Sequence, residues 1–153
     1  MLLREFTLSD VERVFAYQSH PAYLQFYDGT PPTRDDVRDL VARFCVWATE
    51  MPRSRYQLAI TRDGLLIGTC GLRKEDPESP DAEFGCEMDP ASWGGGYARE
   101  ACHALVDFGV RTLRLDRIWA RTSPGNVRAL RLAEDLGLQR TADGLYERRV
   151  IRP

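Results

Sequence analysis

Val37, Leu40, Val41, Phe44, Trp47 and Ala48 recur at steps of three and four, which places them on one side of a helix. Thr33 with Asp36 three residues on is a capping box that starts this helix, and it runs to about Met51. Ser9 with Glu12 starts an earlier helix that reaches about Ser19, after a short apolar opening at Leu2–Phe6 suited to a strand. The helical period returns at Ala101, Cys102, Leu105, Val106, Gly109, Val110 and Leu113, in a helix beginning near Tyr97. It appears once more at Val127, Leu130, Ala133 and Leu136, in a helix capped by Asn126 and ended by Gly137.

Between the helices the pattern turns to β-rich runs. Tyr56–Ile60 and Leu65–Leu72 flank an Asp63-Gly64 hairpin signal and are expected as antiparallel neighbours. Ala82–Met88 and Arg117–Arg121 read as further strands, and Leu138–Thr141 with Leu145–Ile151 as a closing hairpin. The stretch from His20 to Pro32, with three prolines, Gly29 and the rings of Tyr23, Phe26 and Tyr27, reads as a loop. Its rings either wall a pocket or close the edge of the core. The order βααβββαβαββ mixes a hairpin sheet with crossover helices. It is an α+β fold, or α/β by looser definitions, with six to seven strands and about four helices on both faces.

Composition narrows this further. A chain of 153 residues, 43% apolar, suits one filled core, so a single domain over 1–153 is expected. No apolar run approaches membrane-spanning length and the opening Met1-Leu2-Leu3-Arg4-Glu5 lacks a signal-peptide pattern, so a cytoplasmic protein is expected. Cys45, Cys70, Cys86 and Cys102 are widely spaced and only His20 and His103 could join them, which predicts reduced core thiols and no metal site. Residues 1–98 hold 10 Lys or Arg against 16 acids, whereas residues 99–153 hold 11 Arg against 7 acids. Opposite ends can therefore attract opposite ligands, although solvated helix faces produce the same asymmetry.

The turn Trp93-Gly94-Gly95-Gly96-Tyr97-Ala98 joins a strand to a helix. Three glycines let successive N–H groups point at one anion, and the helix adds its unsatisfied donors and dipole, which suits a phosphate or pyrophosphate. A tight turn needs the same residues. The dinucleotide fingerprint is excluded by Arg99, which stands where its third glycine belongs, and a Walker loop by the lack of any Gly-Lys-Ser/Thr run.

Ala82-Glu83-Phe84-Gly85-Cys86-Glu87-Met88, followed by Trp93 to Ala101, then Asn126-Val127-Arg128-Ala129 and Leu136-Gly137-Leu138, resembles the GNAT superfamily of N-acetyltransferases. The tryptophan-led turn is similar to the branch that contains the ribosomal-protein-alanine acetyltransferases. The resemblance implies acetyl-coenzyme A as donor and coenzyme A as product, with the pyrophosphate on the N–H groups of Gly94, Gly95, Gly96, Tyr97 and Ala98 beside Trp93. It also implies a pantetheine arm paired with Glu87 and Met88, the Met88 N–H polarising the thioester carbonyl, and a coenzyme contact from Asn126. That asparagine is equally a plain helix cap, and the two roles can coexist.

For the base that frees the attacking amine of its proton, Glu83 matches the family's strand-four glutamate and is preferred. Glu87 has the same side-chain parity, and a solvated strand face accounts for both. Ala129 and Ala133 stand where relatives carry a Ser or Tyr that protonates the departing thiolate, leaving water, another tyrosine such as Tyr146, or no acid at all. The function expected is N-acetyl transfer from acetyl-CoA to a primary amine, either a protein N-terminus or a small molecule, by direct attack. An idle acyl-CoA-binding module is the alternative. An RNA-binding face of Arg111, Arg114, Arg117, Arg121, Arg128 and Arg131 is disfavoured by the interleaved Asp116, Glu134 and Asp135 and a pI near 5.7. Neither nucleic acid nor membrane is expected as a partner, and a homodimer is compatible with the pattern.

Overall fold

The computed structural model describes residues 1–27 and 30–152. Seven strands form one sheet: β1 (Leu2–Arg4), β2 (Arg55–Arg62), β3 (Leu65–Arg73), β4 (Asp81–Met88), β5 (Arg117–Arg121), β6 (Gln139–Ala142) and β7 (Leu145–Arg149). Their spatial order is β1-β2-β3-β4-β5-β7-β6, and only the β4–β5 pair is parallel. The helices are α1 (Val11–Gln18), α2 (Pro21–Leu24), α3 (Arg34–Ala48), α4 (Tyr97–Arg111) and α5 (Val127–Asp135).

Each face of the sheet carries its own core. Val14 and Tyr17 of α1, Tyr23 of α2, and Val37, Val41 and Phe44 of α3 bury against Ala59 and Leu66 on one face. On the other, Ala101, Cys102, Leu105 and Val106 of α4 bury against Cys70, Leu72, Ala82, Phe84 and Ile118. Each fully buried large side chain is worth about 1.5–3 kcal/mol of transfer free energy, so these stripes fix the helices to the sheet.

The capping box at Thr33 and Asp36, the Asp63-Gly64 turn with both residues at positive φ, and the left-handed Gly137 that ends α5 all stand as the sequence indicates. Two features differ from expectation. The first helix is entered through a 3-10 turn over Leu8–Asp10, and the capping pair is Thr7 with Asp10 in place of Ser9 with Glu12. Asp10 accepts from the Thr7 N–H and is held by Arg4, while Glu12 is drawn outward to Arg34. The stretch expected as loop contains the extra turn α2, because Pro21 sits where a helix needs no N–H and the His20 ring accepts from Ala22 N–H. Gly29 lies outside the described residues.

Candidate active site

β4 and β5 run together for only three pairs, Asp81–Arg117, Ala82–Ile118 and Glu83–Trp119, after which β4 continues to Met88 without β5 beside it. On its other side β4 stays paired with β3 as far as Gly68–Met88. Asp89 N–H donates to Ile67 O at 2.9 Å, which marks that pair as hydrogen-bonded. Bonding alternates along an antiparallel ladder, so Thr69–Glu87 is hydrogen-bonded and Gly68–Met88 and Cys70–Cys86 are not. The N–H groups of Cys86 and Met88 therefore point away from β3 into the gap that β5 vacates. The Glu87 backbone is committed to Thr69, so a ligand strand in this gap meets Cys86 and Met88.

The gap opens into a cleft of about 520 Å³ that extends past the glycine turn to α5. Of the residues expected to hold the coenzyme, Glu87, Met88, Trp93, Gly94, Gly96, Tyr97, Ala98 and Asn126 all line it; Gly95 does not. Gly94 and Gly96 have φ of 82° and 76°, a left-handed backbone open to glycine, and Gly96 is the N-cap of the fifteen-residue helix α4. Trp93 folds back so that its indole N–H donates to Met88 O at 3.3 Å, and the Arg128 guanidinium lies 4.1 Å from the Trp93 ring centroid. Arg99 and Arg131 also face the cleft, and although Asp135 beside them pairs with Arg99 at 3.4 Å, the three arginines leave this end net positive. Asn126 Oδ1 caps α5 through Ala129 N–H at 3.1 Å, which leaves its Nδ2 free to donate to a ligand. Both readings of this residue thus fit one geometry.

The opposite wall comes from α1, α2 and the turn after α2. Glu87 Oε2 accepts from Gln18 Nε2 at 3.0 Å and from the Tyr17 hydroxyl at 3.3 Å. Tyr23 packs edge-on against Tyr17 and stacks on Tyr27, with the latter centroids 4.3 Å apart. Burial, and after it the Glu87 charge, pushes the Tyr17 hydroxyl well above its usual range. Tyr27 is 47% exposed, and burial of part of its ring, with the Glu87 charge after it, pushes its hydroxyl up to about 12. Tyr17 and Gln18 carry no motif that marks them.

Glu83 occupies the last β4–β5 pair, where Arg73 Nε donates to it at 3.3 Å, and it does not line the cleft. Three strand residues lie between it and Glu87, four steps or about 13 Å of chain. Tyr146 stands opposite Ala120 on β7 and packs into the core beneath α4, outside the cleft. Ala129 lines the cleft and Ala133 is buried, so neither offers a hydroxyl there.

Residues 1–139 match the family model described as the acetyltransferase (GNAT) domain. The chain belongs to the GNAT acetyltransferase family. It is an acetyl-CoA-dependent acetyltransferase. The "Uncharacterized N-acetyltransferase p20" of Bacillus licheniformis is 30% identical to it over 141 residues, which cover 92% of this chain and 79% of the relative. Among solved structures, the ribosomal protein acetyltransferase RimL in complex with coenzyme A superposes with a TM-score of 0.82 at 16% identity, covering 97% of this chain and 93% of that one. The spermidine N-acetyltransferase of Vibrio cholerae, solved with CoA and spermine, gives a TM-score of 0.75 at 18% identity, covering 97% and 92%. These two likenesses establish the fold. No helix among the described residues is long and apolar enough to cross a membrane.

Proposed function

We propose that this acetyltransferase transfers its acetyl group directly to a neutral primary amine, on a protein N-terminus or a small molecule, with Glu87 as the base. The observation that carries the reading is the Glu87 carboxylate held by Tyr17 and Gln18 at the mouth of the β4–β5 gap. The N–H groups of Gly94, Gly96, Tyr97 and Ala98 and the positive rim receive the pyrophosphate of the donor. The Met88 N–H, directed into the gap, polarises the thioester carbonyl. Glu87 takes the proton as the amine nitrogen bonds to the carbonyl carbon and the carbon–sulfur bond breaks. The departing thiolate, whose thiol has a pKa of about 8.5, takes its proton from water, and the Tyr27 hydroxyl on the cleft wall supplies a hydrogen-bond donor in place of the hydroxyl that Ala129 and Ala133 lack. Both neighbours named above act on or bind amines, polyamine in one case and ribosomal protein in the other, which supports an amine acceptor here.

The test is release of free thiol from acetyl-CoA against a panel of polyamines, aminoglycosides and peptides with free N-termini. Glu87→Gln is expected to lower turnover by about 10²–10⁴-fold with coenzyme affinity retained. Glu83→Gln should cost under about tenfold, because its partner Arg73 already occupies it. The reverse pattern would transfer the role to Glu83. Coenzyme binding without thiol release from any acceptor would leave an acyl-CoA-binding module.

A further inference from the structure

Cys86 of β4 stands directly opposite Cys70 of β3. Counting the ladder back from the Asp89–Ile67 bond makes this a non-hydrogen-bonded pair, in which facing Cα atoms approach to about 4.5 Å and the side chains leave the same face together. That spacing falls inside the range of about 4.4–6.8 Å that a disulfide spans. Cys70 is fully buried, whereas Cys86 is partly exposed and lines the cleft beside Met88. A third thiol, Cys102 of α4, packs against both, and their hydrogen bonds together with burial hold it protonated. The pair therefore has one thiol that meets solutes, one sealed behind it, and a neighbour that stays out of the chemistry.

We propose that Cys86 is a thiol–disulfide exchange site for coenzyme A disulfide and that Cys70 resolves the adduct; this rests on the coenzyme-binding reading of the cleft. In the first step Cys86 loses its proton to solvent and its sulfur attacks one sulfur of the disulfide. The Cys86–S–S–coenzyme A bond forms, the original S–S bond breaks, and one coenzyme A leaves as thiolate. In the second step the Cys70 sulfur attacks that of Cys86 as its proton passes to the departing coenzyme sulfur, forming a Cys70–Cys86 bond, breaking the Cys86–coenzyme bond and releasing the second coenzyme A as thiol; the first thiolate takes its proton from solvent. Two protein thiols are oxidised and one disulfide is reduced to two thiols. A cross-strand bridge at the cleft belongs to the reducible, labile kind, so the step reverses with the thiol pool. The thiols expected from sequence to be reduced core residues, Cys86 standing out by its closeness to the glycine turn, would thus include one redox pair.

The experiment incubates the reduced protein with coenzyme A disulfide or glutathione disulfide and follows intact mass and alkylated peptide maps. The expected product is loss of two hydrogens with the Cys70 and Cys86 peptides linked, at least tenfold faster with the coenzyme A form. Cys70→Ser should accumulate the mixed disulfide, and Cys86→Ser should give neither product. Mapping of the wild-type protein decides the linkage whether or not the variants fold. Absence of the Cys70–Cys86 link, or a link that forms through Cys102, overturns the proposal. Equal rates with the two disulfides remove coenzyme direction. Calorimetry with coenzyme A then separates the causes: binding without exchange sinks this proposal alone, and no binding sinks the cleft reading.

Discussion

The Arg13 guanidinium of α1 reaches Asp89, the residue that follows β4, and its Nε also donates to Leu66 O at 2.9 Å. Asp89 is 4% exposed and its other oxygen accepts from Ala91 N–H at 3.0 Å, fixing the bend that leads into the glycine turn. One ion pair therefore ties the helix that carries Tyr17 and Gln18 to the chain that carries the anion cradle. The two halves of the cleft are held in one frame.

Removing Arg13 leaves a buried carboxylate without its cation. Arg13→Leu is expected to destabilise the fold by on the order of 2–3 kcal/mol, below the cost of a wholly buried pair because the Arg13 side chain is 35% exposed. Asp89→Asn keeps the acceptor for Ala91 and should cost less. Urea denaturation measures both, and equal stability of Arg13→Leu and wild type would show that the pair contributes nothing to the frame.

A bulky residue at Gly96 tests the cradle. A Cβ there meets no protein atom within 4 Å, and the same is true at Gly64 in the β2–β3 turn, where φ is 79°. Gly96→Val and Gly64→Val therefore share the strain of a left-handed backbone, about 1–2 kcal/mol, without a clash. Only Gly96 lines the cleft, so only Gly96→Val should weaken coenzyme A binding, by tenfold or more in calorimetry. Equal affinities in the two variants would remove the pyrophosphate from this turn.

What could be read in advance follows from how local each feature is. The helical stripes of α3 and α4, the Asp63-Gly64 turn, the Asn126 cap and the glycine turn are written in neighbouring residues, and all are present. Tyr17 and Gln18 meet Glu87 across some seventy residues, by way of α1 packing over β3, and no short pattern carries that contact. Glu83 and Glu87 share a strand face, so parity cannot separate them. The difference lies in where β5 leaves β4, after Glu83–Trp119, a long-range pairing that no local pattern carries. Tyr146 faces the α4 side because it stands opposite Ala120, a register set by the closing hairpin.

The cap of the first helix predicts a pH dependence of stability. Burial alone would push the Asp10 carboxyl up, but hydrogen bonds from Arg4 and from the Thr7 N–H outweigh it, leaving the folded pKa below the unfolded one. A carboxyl depressed in the folded state contributes stability above its unfolded pKa of about 3.9 and loses it as pH falls through the folded value. Asp10→Asn should thus lower stability at neutral pH by about 1–3 kcal/mol and flatten the decline between about pH 5 and 2. Parallel acid profiles of variant and wild type would place the acid-sensitive groups elsewhere.

The acceptor side of the cleft yields the last expectation. Tyr23 is 7% exposed and belongs to the core under α1, so replacing it would unfold the wall it was expected to form. Phe26 is half-buried and faces the cleft in the same turn, and Glu87 supplies negative charge beside it. A cationic acceptor is then expected to be drawn by the carboxylate and desolvated against the ring, releasing its first proton to water so that Glu87 stays ionised to take the second as the nitrogen attacks. Added salt should lower the acceptor's kcat/KM, since screening cuts the reach of the field to about 8 Å at physiological ionic strength. Phe26→Ala should raise the acceptor KM several-fold at unchanged kcat and coenzyme affinity, because it removes contact area from ground and transition state alike. Tyr27→Phe should act the other way, lowering kcat at nearly constant KM, because the ring remains and only the hydroxyl donor is lost. Acceptor kinetics that respond to neither salt nor Phe26→Ala would put the amine on another wall of the cleft and leave this turn as closure of the core.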